Sequence, residues 1–242
     1  MANISLIIAG GIGNRMGQNI PKQFLTVNEK PVIIYTLEAF QKHDLIDAIA
    51  VVCLKGWETV LDSYAKQFNI TKLKYIITGG ECGQESIRNG VFELEKHFSE
   101  DDIILIHDAI RPLVSEKIIT ECIETTKKFG NAITSIPCAE AMLQTENGET
   151  SEKIISRDIL KRTQTPQGFR LKDICSLHRE AIEKGITNSI ASCTLMIELG
   201  RKVYFSHGSE KNLKLTTLDD IDIFKAILNS NRSEWLKEKI NN

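Results

Sequence analysis

The sequence predicts an α/β protein with a Rossmann-like, doubly wound and mostly parallel β-sheet. Its 242 residues, 42% of them apolar, are enough for one continuous core. Short and nearly uninterrupted apolar runs alternate with longer segments in which apolar residues recur every three or four positions. Such runs are typical of strands covered on both faces, and their alternation with helical segments is typical of a sheet with helices on each side.

Six apolar runs predict the strands, which we place at residues 4–8, 48–54, 75–77, 103–106, 132–136 and 203–205. Six periodic segments predict the helices, which we place at residues 32–41, 58–68, 85–97, 116–129, 172–184 and 218–228. We expect one domain over residues 1–229, followed by a C-terminal tail at residues 230–242.

The polar stretch 138–161 interrupts this alternation and is expected to leave the sheet. Within it, Asn147 and Gly148 form a type I′ hairpin signal between two short segments that could form strands. A polar two-stranded excursion is only marginally stable by itself. We therefore expect a protruding β-arm that is stabilised by contacts in a homodimer.

The composition argues against nucleic-acid and membrane partners. Thirty basic and thirty-two acidic side chains give a net charge near −2, which leaves no positive excess to hold a polyanion. The first apolar run, Ile4 to Ala9, is far shorter than the ~20 residues of a membrane-spanning helix. The six cysteines lie far apart, without the paired spacing of zinc sites or disulfide frameworks. We expect a cytoplasmic protein with reduced thiols.

The first predicted strand leads into AGGIGNRMG and then PKQF, a segment typical of a phosphate-binding loop. Gly10, Gly11 and Gly13 let backbone N–H groups surround an anion at the sheet edge where open α/β folds bind ligands. Arg15 and Lys22 add two cations that suit charge developing on a phosphoryl group. A plain tight turn is the alternative for the glycines alone. The spacing fits neither a Walker loop nor the dinucleotide fingerprint of an NAD-dependent oxidoreductase.

Further candidate residues follow other predicted strands. Asp108, in HDAIRP, could help to hold Mg²⁺ on a triphosphate, although it could also be a loop cap paired with Arg111. Gly80 and Ser86 belong to a second glycine turn that could approach a base or ribose closely. Lys214, in NLKLTT, would be read alone as a solvated surface lysine.

Taken in this order and spacing, the motifs AGGIGNRMG with PKQF, GG with Ser86, HDAIRP, TQTPQGF and NLKLTT resemble the cytidylyltransferases that activate polyol phosphates. The resemblance covers nearly the whole chain, from Ile4 to Leu228. It implies a nucleotidyltransferase domain, CTP and a polyol phosphate as substrates, Mg²⁺ or another divalent cation, and a homodimer. It implies that CTP is contacted by Gly10, Gly11, Gly13, Gly80, Ser86 and Asp108. It also implies that Asp108 holds the metal. The catalytic cations that it implies are Arg15, Lys22 and Lys214.

For the acceptor, the resemblance implies a second set of residues, namely Arg157, Thr165, Glu140, Ala141 and Ser192. Glu140-Ala141 stands where the family usually carries Asp-Thr, and no aspartate occurs near Ser192, where it usually carries Thr-Asp. The opening motif and LKLTT look closer to the ribitol-phosphate branch. We therefore expect ribitol 5-phosphate or a related pentitol phosphate as the acceptor, in surface-polymer synthesis. The alternatives are the methylerythritol-phosphate enzyme of isoprenoid synthesis and an inactive nucleotide-binding homologue.

Overall fold

A seven-stranded sheet with helices on both faces organises the chain, of which the computed structural model describes residues 1–11 and 20–230. The described strands are β1 (Asn3–Ala9), β2 (Thr26–Val27), β3 (Lys30–Pro31), β4 (Ala48–Cys53), β5 (Leu73–Thr78), β6 (Ile103–Asp108), β7 (Asn131–Pro137), β8 (Met142–Gln144), β9 (Lys153–Ile155), β10 (Lys161–Arg170) and β11 (Phe205–His207). The described helices are α1 (Val32–Lys42), α2 (Glu58–Gln67), α3 (Gly83–Leu94), α4 (Glu116–Phe129), α5 (Leu171–Glu183), α6 (Ser192–Glu198) and α7 (Leu218–Ser230), with short 3₁₀ helices at Lys22–Phe24 and Arg157–Ile159.

The main sheet has the strand order β11-β7-β10-β6-β1-β4-β5. Strands β4, β1 and β6 pair in parallel, and β10 runs antiparallel to both of its neighbours. The expected α/β class and mostly parallel sheet are therefore confirmed. The carboxyl ends of the parallel strands meet at one edge, which is where this type of sheet binds ligands.

Two apolar layers cover the sheet, as the uninterrupted runs predicted. On one face Ile7 and Val51 pack with helices α1, α2 and α4, and on the other Leu6 and Val52 pack with α3, α5 and α6. Gly90 brings α3 especially close, because a Cβ there would lie 2.7 Å from Leu6 Cδ2. The middle of α3 therefore packs directly on strands β1 and β4.

Strand β10 was not predicted, because its Thr-Gln-Thr-Pro-Gln stretch is polar. Its pairing with β7 slips, since Thr163 lies opposite Ser135 whereas Gln167 lies opposite Ile133. Four positions on β10 thus match two on β7, and the extra residues form a bulge. Thr165, in this bulge, is partly exposed although it lies in an interior strand.

Segment 138–161 contains a separate two-stranded antiparallel ribbon, β8 with β9. The expected type I′ turn is wrong, since the connection spans residues 145–152 and its only positive φ is +77° at Gly148. Instead, the Asn147 carboxamide oxygen accepts hydrogen bonds from the backbone N–H groups of Glu149 and Thr150, both at 2.9 Å. That this segment is an arm for dimerisation stays a prediction.

The expected tail at residues 230–242 lies outside the described residues apart from Ser230, which ends α7. No helix within residues 1–11 and 20–230 has the length and apolar character needed to cross a membrane. All six cysteines are free thiols.

A buried histidine on α5 makes the fold sensitive to acid. His178 is 1% exposed, and neither ring nitrogen has a hydrogen-bond partner in the described part of the chain. Burial lowers the pKa of His178 to about 4 from 6.5. Because the unfolded chain binds a proton more readily in this window, the stability of the folded state falls as the pH drops from 6.5 towards 4.

We predict that His178→Leu stabilises the protein by about 1–3 kcal/mol at pH 7, since it removes two unpartnered buried nitrogens. As the pH falls from 6.5 to 4, the difference in the free energy of unfolding between His178→Leu and wild type grows by up to about 3 kcal/mol, because one pKa unit corresponds to ~1.4 kcal/mol. Urea unfolding at several pH values measures both effects. His207→Leu, which alters an exposed ring, serves as the control. Equal pH dependence in wild type and His178→Leu would contradict the argument.

Candidate active site

A cleft of about 560 Å³, hereafter the main cleft, lies at the carboxyl edge of the sheet. The predicted residues that line it are Gly10, Gly11, Lys22, Gly80, Ser86, Asp108 and Lys214. The structure thus brings together residues that are up to 204 positions apart in the chain, from Gly10 to Lys214. Gly13 and Arg15 lie outside the described residues.

Two glycine turns form one wall of the main cleft. The N–H of Gly80 donates a hydrogen bond of 3.0 Å to Ser86 Oγ. A Cβ on Gly10 would lie 3.0 Å from the same oxygen, and one on Gly80 would lie 2.2 Å from Glu85 Cγ. A side chain at Gly80 would therefore collide with Glu85 in the first turn of α3, and one at Gly10 would press against Ser86 Oγ. The wall presents backbone and a hydroxyl group to the cleft, which suits close contact with a nucleotide.

Lys22 reaches the main cleft because its neighbour Gln23 is anchored. The Gln23 side chain is 2% exposed and donates hydrogen bonds to the carbonyl oxygens of Ala9 at 2.7 Å and Gly11 at 3.1 Å. It joins the 3₁₀ helix Lys22–Phe24 to the start of the glycine loop. The motif contained Gln23, but its anchoring role depends on contacts that the sequence does not reveal.

Asp108 ends β6 and is the electrostatic centre of the site. Its Oδ2 lies 3.1 Å from Arg111 Nε, and its Oδ1 lies 3.2 Å from Lys214 Nζ. Burial raises the pKa of the Asp108 carboxyl, but the charges of Lys214 and Arg111 outweigh it and hold the pKa below its usual range. Asp108 is therefore a carboxylate shared between two cations. The sequence alternative of an Asp108–Arg111 pair is present as well.

The segment that carries Lys214 is held against the loop that follows β6. Leu215 N–H donates to Ile110 O at 2.9 Å, and Arg111 Nη1 donates to Asn212 O at 2.6 Å. Asn212, which is fully buried, donates from Nδ2 to the carbonyl oxygen of Thr165 at 2.9 Å. These contacts turn an apparent surface lysine into a component of the site.

A second cavity of about 340 Å³, hereafter the adjoining cavity, shares Asp108 and Lys214 with the main cleft. Thr165 and Ser192, both predicted acceptor contacts, line it. Ser192 is 3% exposed, and its Oγ has no hydrogen-bond partner among residues 1–11 and 20–230. The cavity thus contains a hydroxyl group whose hydrogen-bonding capacity is unused.

The other three predicted acceptor residues, Arg157, Glu140 and Ala141, line neither cavity. They lie beside the ribbon, where Arg157 Nη1 donates to the Ala139 carbonyl oxygen at 2.7 Å. Glu140 Oε1 is 3.9 Å from Arg162 Nη1, and Ala141 is exposed. Within one chain, the structure does not bring these residues to the site.

His107 orients groups of the site and is unsuited to proton transfer. Its ring is fully buried, with Nε2 3.1 Å from the Arg111 carbonyl oxygen and Nδ1 3.1 Å from Thr165 Oγ1. Burial lowers the pKa of His107 to about 4, so that the ring is neutral at pH 7. Thr165 Oγ1 also accepts the N–H of Asp108 at 3.1 Å. The ring therefore helps to hold Thr165 beside Asp108.

The sequence matches the profile of the family described as IspD, 2-C-methyl-D-erythritol 4-phosphate cytidylyltransferase, over residues 4–230. It is 45% identical to the ribitol-5-phosphate cytidylyltransferase of Lacticaseibacillus paracasei, covering 93% of this chain and 97% of that protein. It is 36% identical to the 2-C-methyl-D-erythritol 4-phosphate cytidylyltransferase of Clostridium acetobutylicum, covering 95% of this chain and 98% of that protein.

Solved structures show the same fold. The 2-C-methyl-D-erythritol 4-phosphate cytidylyltransferase of Francisella tularensis superimposes with a TM-score of 0.77 at 26% identity, covering 92% of this chain and 98% of that one.

Proposed function

We propose that this chain, which belongs to the 2-C-methyl-D-erythritol 4-phosphate cytidylyltransferase family, transfers the cytidylyl group of CTP to ribitol 5-phosphate. The products are CDP-ribitol and pyrophosphate. The observation that carries the proposal is the pair of cavities that meet at Asp108 and Lys214, since a transfer reaction needs two substrates on either side of one charged centre. Similarity to the Lacticaseibacillus paracasei enzyme favours ribitol 5-phosphate as the acceptor.

The reaction needs alignment more than acid–base chemistry. A phosphate monoester has a second pKa of about 6, so the acceptor is already a nucleophile at neutral pH. One of its phosphate oxygens attacks the α-phosphorus of CTP, and the bond from that phosphorus to the bridging oxygen breaks. The bonding electrons leave with pyrophosphate. Because no proton has to be removed from the nucleophile, a neutral, buried His107 is consistent with this route.

We assign CTP to the main cleft and the acceptor to the adjoining cavity. Gly10, Gly11, Gly80 and Ser86 then face the nucleotide. Lys22 and Lys214, together with Arg15, neutralise charge that develops on the phosphates during transfer. Lys214 lines both cavities, so one lysine side chain contacts both reactants.

Asp108 fits a magnesium ion that arrives with the triphosphate. In the part of the chain that the structure describes, no group of three or more His, Cys, Asp or Glu side chains could form a protein cage for a metal. Mg²⁺ on a nucleotide needs only one or two carboxylates, and Asp108 supplies one at the strand end. When bound there, Mg²⁺ neutralises phosphate charge.

The methylerythritol-phosphate enzyme remains the related alternative, because the family profile carries that name. An inactive homologue is less consistent with the site, since Lys22, Asp108 and Lys214 all line the main cleft. Absence of pyrophosphate release from CTP with every polyol phosphate tested would favour the inactive homologue.

We further propose a homodimer formed through the ribbon of segment 138–161. Leu143 and Ile154 pair across its strands and are 63% and 80% exposed, and Ile159 is 79% exposed. Apolar side chains this exposed on a two-stranded ribbon favour a covering partner. Arg157 and Glu140, which line neither cavity of their own chain, would then complete the adjoining cavity of the second copy.

We predict that Lys22→Ala, Arg15→Ala and Lys214→Ala each lower kcat by roughly a hundredfold or more without unfolding the protein, since such cations stabilise transition-state charge. Pyrophosphate release under saturating CTP and ribitol 5-phosphate measures the effect. Lys211→Ala, exposed on the same segment as Lys214, should keep wild-type turnover. Near-normal kcat in a folded Lys22→Ala protein would refute its catalytic role.

Acceptor preference gives a second prediction. We expect a higher kcat/KM for ribitol 5-phosphate than for methylerythritol 4-phosphate. The aspartate-free stretch at Ser192 removes one polar partner from the adjoining cavity, and Ala141, which the proposed dimer would bring to the cavity of the second copy, removes another. Each such group costs about 1–3 kcal/mol when left unpaired. Both acceptors are compared at the same CTP and Mg²⁺ concentrations. The KM for CTP should be the same with either. A preference for methylerythritol 4-phosphate would assign the chain to that activity.

Deletion of residues 143–156 should convert the dimer to a monomer and raise the KM for the acceptor, because it removes the exposed apolar pair of the ribbon. Light scattering after gel filtration measures the mass. Leu143→Ser combined with Ile154→Ser should act in the same way, whereas Ile182→Ser, which is exposed on α5, should not. A deletion variant that remains dimeric and fully active would rule out assembly through the ribbon.

A further inference from the structure

The far side of the adjoining cavity is built from a segment without regular structure. Residues 186–192 connect the end of α5 to the first turn of α6, and Ile190, Ala191 and Ser192 from it line the cavity. Ile190 is 94% exposed and stands at the opening. A loop of this kind is held in place only by the contacts that its backbone makes with neighbouring elements. We call residues 186–192 the cavity wall.

One side chain holds the middle of the cavity wall at two points. Gln84 Oε1 accepts the backbone N–H of Ser189 at 2.6 Å, and Gln84 Nε2 donates to the carbonyl oxygen of Ile186 at 2.6 Å. Gln84 is 6% exposed, and its hydrogen bond to Ser189 is buried whereas its hydrogen bond to Ile186 is partly buried. Losing them would leave the buried N–H of Ser189 unpaired, so the position of the wall depends on this residue.

Gln84 stands in the first turn of α3, next to residues that form the main cleft. Gly83 lines both the main cleft and the adjoining cavity, and Ser86 lines the main cleft. The same helical turn therefore contacts the nucleotide side and holds the acceptor side. Gln84 itself lines neither cavity, which distinguishes it from a residue that binds substrate.

Hydroxyl groups connect the cavity wall to α6. Ser189 Oγ lies 2.7 Å from Thr194 Oγ1 and donates to Glu198 Oε1 at 3.1 Å. Ala191 N–H donates to Thr194 Oγ1 at 3.0 Å. A shift of Ser189 would consequently move Ala191, which faces the cavity.

We propose that the cavity wall selects the acceptor and that Gln84 is the positioning residue that sets its distance from the nucleotide. The inference rests on the proposed function, because it takes the adjoining cavity as the acceptor site. Loss of Gln84 should weaken acceptor use and blur the choice between polyol phosphates, while CTP binding is retained. A residue that only supported the fold would affect both substrates alike.

The test compares Gln84→Met, which keeps the side-chain length but removes both hydrogen bonds, with Gln84→Glu, which keeps only the acceptor for Ser189 N–H. Gln41→Met is a matched control. Gln41 also bridges two loop residues, accepting Lys72 N–H at 2.8 Å and donating to Thr71 Oγ1 at 2.9 Å, and it lines neither cavity.

For Gln84→Met we expect the KM for ribitol 5-phosphate to rise at least tenfold and the KM for CTP to stay within twofold of wild type. We also expect the kcat/KM for ribitol 5-phosphate, divided by the kcat/KM for methylerythritol 4-phosphate, to fall at least fivefold. Gln84→Glu, whose second carboxylate oxygen would face the Ile186 carbonyl oxygen, should impair acceptor use at least as much as Gln84→Met, and Gln41→Met should match wild type. Unchanged acceptor parameters in Gln84→Met, or an equal rise in both KM values, would overturn the proposal.

Hydrogen exchange of the backbone amides in residues 186–191 gives a readout that needs no turnover. The amide of Ser189, whose N–H donates to Gln84 Oε1, should exchange at least tenfold faster in Gln84→Met than in wild type, and equal exchange of that amide would overturn the positioning role. If the wild type uses a different polyol phosphate, the ribitol assignment fails, and the same kinetic comparison with that acceptor still decides whether Gln84 positions the wall.

Discussion

The shared carboxylate of Asp108 is the interaction around which the site is organised. It ends a central strand, and its two oxygens face Arg111 at 3.1 Å and Lys214 at 3.2 Å. A partly buried carboxylate is stabilised when cations balance its charge, and the fold brings one of the two, Lys214, from far along the chain to this strand end. Asn212 and Leu215 supply the contacts that do so. The main cleft and the adjoining cavity meet at this pair because both open onto it.

The sequence allowed much of the scaffold to be predicted, because each parallel strand is covered on both faces and so appears as an apolar run. Strand β10 escaped prediction for the opposite reason. Its polar side chains are satisfied by tertiary partners, such as Gln164 with Ser209 and Gln167 with Cys193. The type I′ turn failed because Asn147 caps a longer loop with its side chain instead of reversing the chain in two residues.

Candidate residues were predictable where they follow a strand, as Gly10 and Asp108 do, since strand ends converge on one edge. The role of Lys214 came only from the family resemblance, and its position depends on the buried Asn212. No sequence pattern indicated a role for Gln84, because it holds a loop about a hundred residues away. Residues of the ribbon were grouped with the acceptor site, although within one chain they stand apart from it.

In the interior of a sheet, a residue usually both pairs with the neighbouring strands and has a buried side chain. The bulge in β10 lets Thr165 depart from both. Four residues there correspond to two on β7, so Thr165 escapes the regular ladder while the flanking residues keep their pairing. The main cleft is built largely on strand ends of the core, whereas the adjoining cavity also uses this bulge, a loop and the start of a short helix. Exposed positions on the latter, such as Ile190, can therefore change without disturbing the core. Such a division allows the lining of the adjoining cavity to diverge between relatives while the main cleft is inherited intact.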